Sequence, residues 1–377
     1  MDVTPPAPAQ RATWISSADE LDRWLNSDAK SPLALDTEFE RVSTFYPIPG
    51  LVQLGLGDQF RLVDPSVAQS SEQFRAMLAD PHRRKLLYAM SEDLELFRHW
   101  LSLEPAGIVD LQIGAAMAGL GFSVGYARLV ERLFGEVLDK SATRSDWLAR
   151  PLTDEQERYA TDDIRFLLPM YETIWGLLQQ RGMIDAVVEE SDRFTQDLAA
   201  QDQVEDHYRK LRGGWTLSRQ QQGVLKALVQ WREEECRKRD RPRNRVLADA
   251  LLISIAESLP DNARELSSIK GVPSVVVRRY GDQLLDLIKV AANSDSSTIE
   301  VIQPPLPRQD QLLYKQIKRM MVEAAEARDV PVELLAPRKR LEAVVQNRDL
   351  SAGLFNSGWR EAVIAPIRSR LEEALAA

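Results

Sequence analysis

The sequence predicts an α/β domain followed by two all-helical modules, and three observations carry that prediction. Short strand patterns alternate with helical ones over the first half of the chain. No convincing strand pattern occurs after about residue 200. A polar, proline-rich stretch, Asn293–Pro307, then separates two helical sets of similar length. At 377 residues the chain is too long for one ordinary domain. The expected order is a flexible N-terminus (1–11), an α/β domain (12–205), a helical module (212–292), a linker (293–307) and a second helical module (308–377).

Taken in order, Pro32–Phe39 reads as a strand, an apolar run interrupted by two acids. Leu51–Leu56 and Gln59–Val63 read as two more, joined by a Gly57-Asp58 turn. Gln73–Leu78 is helical, Lys85–Met90 a strand, and Ser91–Leu101 a helix with Ser91 as N-cap. Ile108–Asp110 is a short strand; Leu111–Gly119 and Gly125–Phe134 are helices. Thr153 with Gln156 forms a capping box that opens a long helical segment. In the second half, Val224, Leu225, Leu228 and Trp231 make one apolar helical face within Ser218–Lys238.

Composition narrows the chemistry. One cysteine, Cys236, excludes an intramolecular disulfide framework and a cysteine zinc cluster. Only three histidines are present, so a bound metal would need carboxylate ligands. The N-terminus lacks the pattern of a signal peptide and no apolar run is long enough to span a bilayer, so a cytoplasmic protein without a membrane partner is expected. The formal charge of -9 argues at first against a nucleic-acid partner. It conceals an asymmetry: residues 1–211 hold 35 acids and 21 bases, net −14, and the remainder holds 22 acids and 27 bases, net +5. Within that remainder, Arg212–Arg245 holds ten bases and four acids. Its densest part contains Arg237, Lys238, Arg239, Arg241, Arg243 and Arg245, enough cations to neutralise several phosphates.

Three segments carry candidate catalytic groups. In Asp36-Thr-Glu38, strand alternation puts both acids on one face, where a divalent cation would neutralise them. In Ser91-Glu-Asp-Leu-Glu-Leu-Phe97, Asp93 lies in the first turn of a helix that follows a strand. In Tyr159-Ala-Thr-Asp-Asp163, Tyr159 and Asp163 share a helix face and Asp162 points elsewhere. Converging, Asp36, Glu38, Asp93 and Asp163 would suit two divalent ions ~3.5–4 Å apart. Each segment alone is better explained by ordinary surface acids.

The order of these segments resembles the tyrosine variant of the DEDD exonuclease superfamily and, within it, the ribonuclease D family. LALDTEFERVSTFYPIPGLVQLG, MSEDLELF, TRSDWLARPLT and ERYATDDIRFLLPMY carry the resemblance over roughly residues 12–200. LSRQQQGVLKALVQWREEECRKRDRPRNRVLADALLISIAESLP resembles a helicase-and-RNase-D C-terminal (HRDC) domain, and 308–377 would be a diverged second copy. The resemblance implies a ribonuclease H-like mixed sheet flanked by helices, then two HRDC-type helical domains. It implies 3′→5′ hydrolysis of RNA to nucleoside 5′-monophosphates, in tRNA precursors and other structured RNAs, by a monomer. It implies two Mg²⁺ or Mn²⁺ ions: Asp36, Glu38 and Asp163 would hold one, Asp36 and Asp93 the other, and Tyr159 would position the attacking water. Phe39, Phe45, Tyr46 and Gln53 are candidate contacts to the terminal nucleotide. Tyr88 stands where the family pattern leads one to expect histidine. A DNA 3′→5′ exonuclease and a catalytically inactive RNA-binding scaffold are the alternatives. No G-x-x-x-x-G-K-[ST] motif accompanies the segments, which weakens the helicase-associated form of the first.

Overall fold

The computed structural model describes residues 11–201 and 203–377, so the expected flexible segment 1–11, apart from Arg11, lies outside the described residues. The first part builds β1 (Thr13–Ile15), α1 (Ala18–Ser27), β2 (Leu33–Glu40), β3 (Ile48–Leu56), β4 (Gln59–Val63), α2 (Pro65–Ser70), α3 (Glu72–Ala79), β5 (Lys85–Leu87), α4 (Ser91–Leu101) and β6 (Ile108–Asp110). Helices α5 (Leu111–Met117), α6 (Tyr126–Phe134), α7 (Asp154–Arg165), α8 (Leu167–Arg181) and α9 (Ile184–Ala200) follow. The six strands form one mixed sheet in the order β1-β4-β3-β2-β5-β6. β3 lies between β2 and β4 and is antiparallel to both, whereas β5 and β6 run parallel to β2.

Strand alternation divides the sheet's side chains between two cores. Leu35, Val52, Leu54 and Val63 join the main apolar core, together with Leu94 and Phe97 of α4. Leu51 and Leu62 face the other way and pack with Trp147, Leu152 and Ala160 of α7. Asp36 pairs in register with Gln53 and Glu38 with Leu51, so both acids lie on the α7 face. Thr37, opposite Val52, lies on the α4 face. The register shifts between Glu38 and Phe39, an irregularity just beyond the acids, and pairing resumes at Phe39 and Glu40.

Several elements differ from the sequence expectation for local reasons. The three-residue β1 has no periodicity to read. β3 begins at Ile48 and runs through Pro49-Gly50; a side chain at Gly50 would meet Trp147 at 2.9 Å. The long segment after Thr153 is three helices, interrupted at Phe166 and at Gly182 with φ 63. The capping box itself forms, with Thr153 accepting from Gln156 N–H and Gln156 from Thr153 N–H. Ser91 is not the N-cap of α4: that position is Met90, which makes no side-chain cap bond. Asp110 serves this turn instead, accepting from the N–H groups of Ala89 (3.1 Å) and Met90 (3.2 Å).

The chain packs as two units. The first comprises the sheet and its helices up to Leu198, without residues 41–47, together with Leu306–Ala377. That C-terminal segment contributes α15 (Arg308–Ala327), α16 (Val332–Leu335), α17 (Arg338–Asn347), α18 (Gly358–Ile364) and α19 (Arg368–Ala376). Ile317, Met321, Leu341 and Leu371 belong to the same continuous core as the sheet, so the expected boundary near 308 does not separate two cores. Arg360, 1% exposed, ties α18 to α9 through Glu190 at 2.7–2.8 Å, and Trp359 Nε1 donates to the same carboxylate at 3.1 Å.

The second unit comprises residues 41–47 and 199–305. It contains α10 (Arg219–Arg239), α11 (Arg243–Val246), α12 (Asp249–Ser258), α13 (Ala263–Ser268) and α14 (Ser274–Ala292). The predicted face Val224, Leu225, Leu228 and Trp231 is buried against Leu252, Ile255, Tyr280 and Leu284. Residues 293–305, expected as a linker, pack onto this unit. Ile302 N–H donates to Gln222 Oε1 at 2.7 Å, and Ile299 and Ile302 lie against its core.

Candidate active site

Asp36, Glu38, Asp93, Tyr159 and Asp163 line one pocket of about 390 Å³ within the first unit. Three elements deliver them: β2 from the sheet, α4 from one face and α7 from the other. Asp163 and Tyr159 stand one turn apart on α7 and are hydrogen-bonded to each other. The Tyr159 ring packs against Trp147 with centroids 5.8 Å apart, and its hydroxyl is 3.4 Å from Thr143 Oγ1. Asp162 faces away from this group and pairs with Arg165 at 2.7 Å.

The turn before α4 is held in an unusual conformation. Ala89 adopts φ 57, in the left-handed region where a non-glycine residue is strained. Asp110, buried at the end of β6, accepts from Ala89, Met90 and, at 2.8 Å, Gln112 N–H. One carboxylate thus fixes the turn that aims Asp93 at the pocket.

The electrostatics of the pocket are one-sided. Glu92 joins the four acids in its lining, and among the described residues no lysine, arginine or histidine does. Burial, then the charges of Asp93, Asp163 and Glu38, holds the Asp36 carboxyl far above the usual range. Burial followed by the charges of Asp163 and Asp93 pushes Glu38 up to about 9. Burial raises Asp93 to about 7 against the hydrogen bond from Thr37, and Asp163 to about 7 against that from Tyr159. Four such carboxyls cannot all ionise without a positive charge among them. An all-oxygen donor set fits a hard divalent cation of the Mg²⁺ or Mn²⁺ type. Among the described residues no three acids or histidines close on one point as a preformed ion shell; the carboxyls are spread around the pocket wall.

The candidate nucleotide contacts are dispersed. Phe39 lines the pocket; Phe45, Tyr46 and Gln53 do not. Phe45, 5% exposed, is part of the core of the second unit, edge-on to Tyr46, with the guanidinium of Arg243 4.9 Å from its ring centre. Asp240 accepts from the N–H groups of Phe45 (2.8 Å) and Tyr46 (2.9 Å). These aromatics are occupied in packing and backbone anchoring. Gln53 shares the sheet face of Asp36 but is fully buried. The pocket instead contains residues that the sequence reading passed over: Thr37, Glu92, Tyr126 and Thr143. Tyr88 is there too, donating to Val124 O at 2.5 Å and standing edge-on to Tyr126. A single Tyr126 or Thr143 carries no periodic or motif signal to find it by.

The basic stretch divides by pairing. Arg243 makes a fork of two 2.7 Å bonds to Glu233, and Arg239 is paired with Glu235. Arg237 lies 5.6 Å from the Phe45 ring centre. Lys238, Arg241 and Arg245 are exposed.

Comparison with known proteins shows the family. A family model described as 3′-5′ exonuclease matches residues 12–179, and an HRDC domain model matches residues 221–288. The chain is 39% identical over 316 residues to ribonuclease D of Pseudomonas paraeruginosa, covering 84% of each protein. It is 35% identical to ribonuclease D of Escherichia coli, covering 88% of this chain and 90% of the relative. The crystal structure of Escherichia coli RNase D, described as an exoribonuclease involved in structured RNA processing, superposes with a TM-score of 0.87 at 32% identity, over 97% of this chain and 99% of that one. The chain belongs to the ribonuclease D family of 3′–5′ exoribonucleases.

Proposed function

We propose that the protein removes nucleotides one at a time from the 3′ end of RNA by two-metal-ion hydrolysis, releasing nucleoside 5′-monophosphates. The observation that carries this reading is a pocket walled by five acids and no base, which calls for cationic charge before it can hold a phosphodiester. Asp36, Glu38 and Asp163 would hold one ion, and Asp36 and Asp93 the other. When bound, the ions, Mg²⁺ or Mn²⁺, supply an activated water and stabilise charge on the leaving 3′ oxygen. Tyr159, whose hydroxyl bonds to Asp163, orients the attacking water. No histidine base is needed, and none lines the pocket.

The substrates in this reading are tRNA precursors and other structured RNAs with an accessible 3′ end, met in the cytoplasm by a monomer. No described helix is long and apolar enough to cross a membrane. Exposed Lys238, Arg241 and Arg245 are the remaining candidates for RNA backbone contact from the basic stretch. The segment 308–377 reads as a diverged second HRDC-like module. Its helices of 20, 4 and 10 residues (α15–α17) repeat the order of 21, 4 and 10 in α10–α12.

The test is incubation with a 3′-labelled tRNA precursor and a matched single-stranded DNA, in Mg²⁺, Mn²⁺ or EDTA. Mononucleotide release from the RNA in either metal, abolished by EDTA, is expected. Release that survives EDTA would overturn the two-metal reading, and faster cleavage of the DNA would overturn the RNA assignment.

A further inference from the structure

We infer that Thr37 is the positioning residue for Asp93, an assignment that rests on the two-metal reading above. The middle residue of the D-x-E segment points away from its two acidic neighbours, onto the face of β2 that carries the main core and α4. β5 pairs with β2 only at Leu33 and Ala34 and ends at Leu87, so β2 continues past its neighbour from Leu35 onward. The first turn of α4 lies beside this free edge. There Thr37 Oγ1 donates a hydrogen bond to Asp93 Oδ1, with Thr37 6% and Asp93 7% exposed.

This contact does what packing alone does not require. Valine has the shape of threonine and would fill the same space beside Val52, but it would leave the buried carboxylate oxygen without its donor. The hydroxyl fixes the rotation of the one acid in the group that comes from the α4 side. Asp36 and Glu38 are set by the strand itself, and Asp163 is bonded to Tyr159. Thr37 therefore registers the α4 contribution against the strand that supplies the other two acids. Partners of this kind, one bond removed from a metal ligand, typically change metal affinity by about 10–100-fold when lost.

The experiment uses the full chain and reads Mn²⁺ binding directly, by electron paramagnetic resonance of the free ion, alongside turnover of an RNA oligomer. Thr37→Val and Thr37→Ala should each weaken uptake of one ion by about tenfold. They should lower kcat at limiting Mn²⁺ with KM for RNA unchanged, and regain rate as Mn²⁺ is raised. Thr37→Ser should restore binding to near that of the unaltered protein. Asp93→Asn should lose the same ion. If Asp93→Asn loses an ion but both hydroxyl-free variants bind Mn²⁺ like the unaltered protein, the role of Thr37 is refuted and the two-metal reading stands. A rate loss in both that excess Mn²⁺ does not recover also refutes it, because a packing defect is indifferent to the ion. Wild-type-like Mn²⁺ uptake by Asp93→Asn would instead refute the two-metal reading itself.

Discussion

Two glutamates, one in each unit, sit at opposite extremes of protonation. Glu233 of α10 is fully buried, yet its carboxyl is held well below the ordinary range. Burial alone would raise it; hydrogen bonds from His207 and Arg243, with the charges of Arg243 and Arg232, more than offset that. Glu38 of β2 has no cation within its pocket, and burial with two neighbouring aspartates pushes it up to about 9. Glu233 is completed by its own chain and serves as structure. Glu38 is left uncompleted by the described chain, which is what the proposed role as a metal ligand requires. Burial of an acid therefore says little about function until its neighbours have been tallied by sign.

The largest expected effect separates activity from stability at these two kinds of position. Asp36→Asn or Asp163→Asn should cut RNA hydrolysis by at least about a hundredfold. Both should keep the melting temperature of the metal-free protein, because a neutral side chain replaces a carboxyl that burial already disfavours as an anion. Glu233→Gln should do the reverse. It leaves Arg243 without its fork and costs about 3 kcal/mol in urea unfolding, with hydrolysis of a short oligomer little changed in the folded fraction. An Asp36→Asn protein that turns over RNA near the unaltered rate would erase the distinction between the two sites.

The same contrast predicts opposite responses to pH. Raised carboxyls contribute stability below their unfolded values, near 4, that is lost as pH climbs through the folded ones. In EDTA the first unit should therefore weaken from pH 5 upward, through about 7 for Asp93 and Asp163 and on toward about 9 for Glu38. Mg²⁺ or Mn²⁺ should recover most of the loss by binding the ionised forms. The depressed Glu233 behaves oppositely: its stabilisation is complete above the ordinary carboxyl range and fades only in acid. Thermal melts at pH 5, 7 and 9, with and without divalent ion, check the sign; a metal-free protein that strengthens toward pH 9 would contradict the assigned shifts.

How much of this was legible beforehand followed from the range of each interaction. Alternation along β2 put Asp36 and Glu38 on one face, and helical spacing paired Tyr159 with Asp163, because both relations are local. Glu233 lies within eleven residues of Arg232 and Arg243, yet its pairing with them was not among the sequence expectations. The partners of Thr37 and Phe45 are not so near: the first bonds to an acid 56 positions away, the second to one 195 positions away. Asp93 was marked only by its place in the first turn of a helix, and the resemblance supplied its role; its aim depends on Asp110, which belongs to β6. The merging of 308–377 with the sheet's core was hidden for the same reason, resting on Arg360 reaching Glu190 170 positions back.

The smallest effect concerns the basic stretch, where the comparison is between cations already committed and cations still exposed. Arg243 and Arg239 are tied to Glu233 and Glu235, so replacing them should act mainly on the stability of the second unit. Lys238, Arg241 and Arg245 stand exposed between and beside them. A triple Lys238→Ala, Arg241→Ala, Arg245→Ala variant should bind structured RNA a few-fold more weakly at about 0.1 M salt, with its melting temperature unchanged. Its affinity should also fall less steeply with salt, by up to about 2 in the log–log slope if all three neutralise phosphates of single-stranded RNA. Hydrolysis of a short oligomer confined to the carboxylate pocket should be unaffected. A salt slope equal to that of the unaltered protein would mean that these cations face solvent or another protein, and that phosphate contact lies elsewhere on the chain.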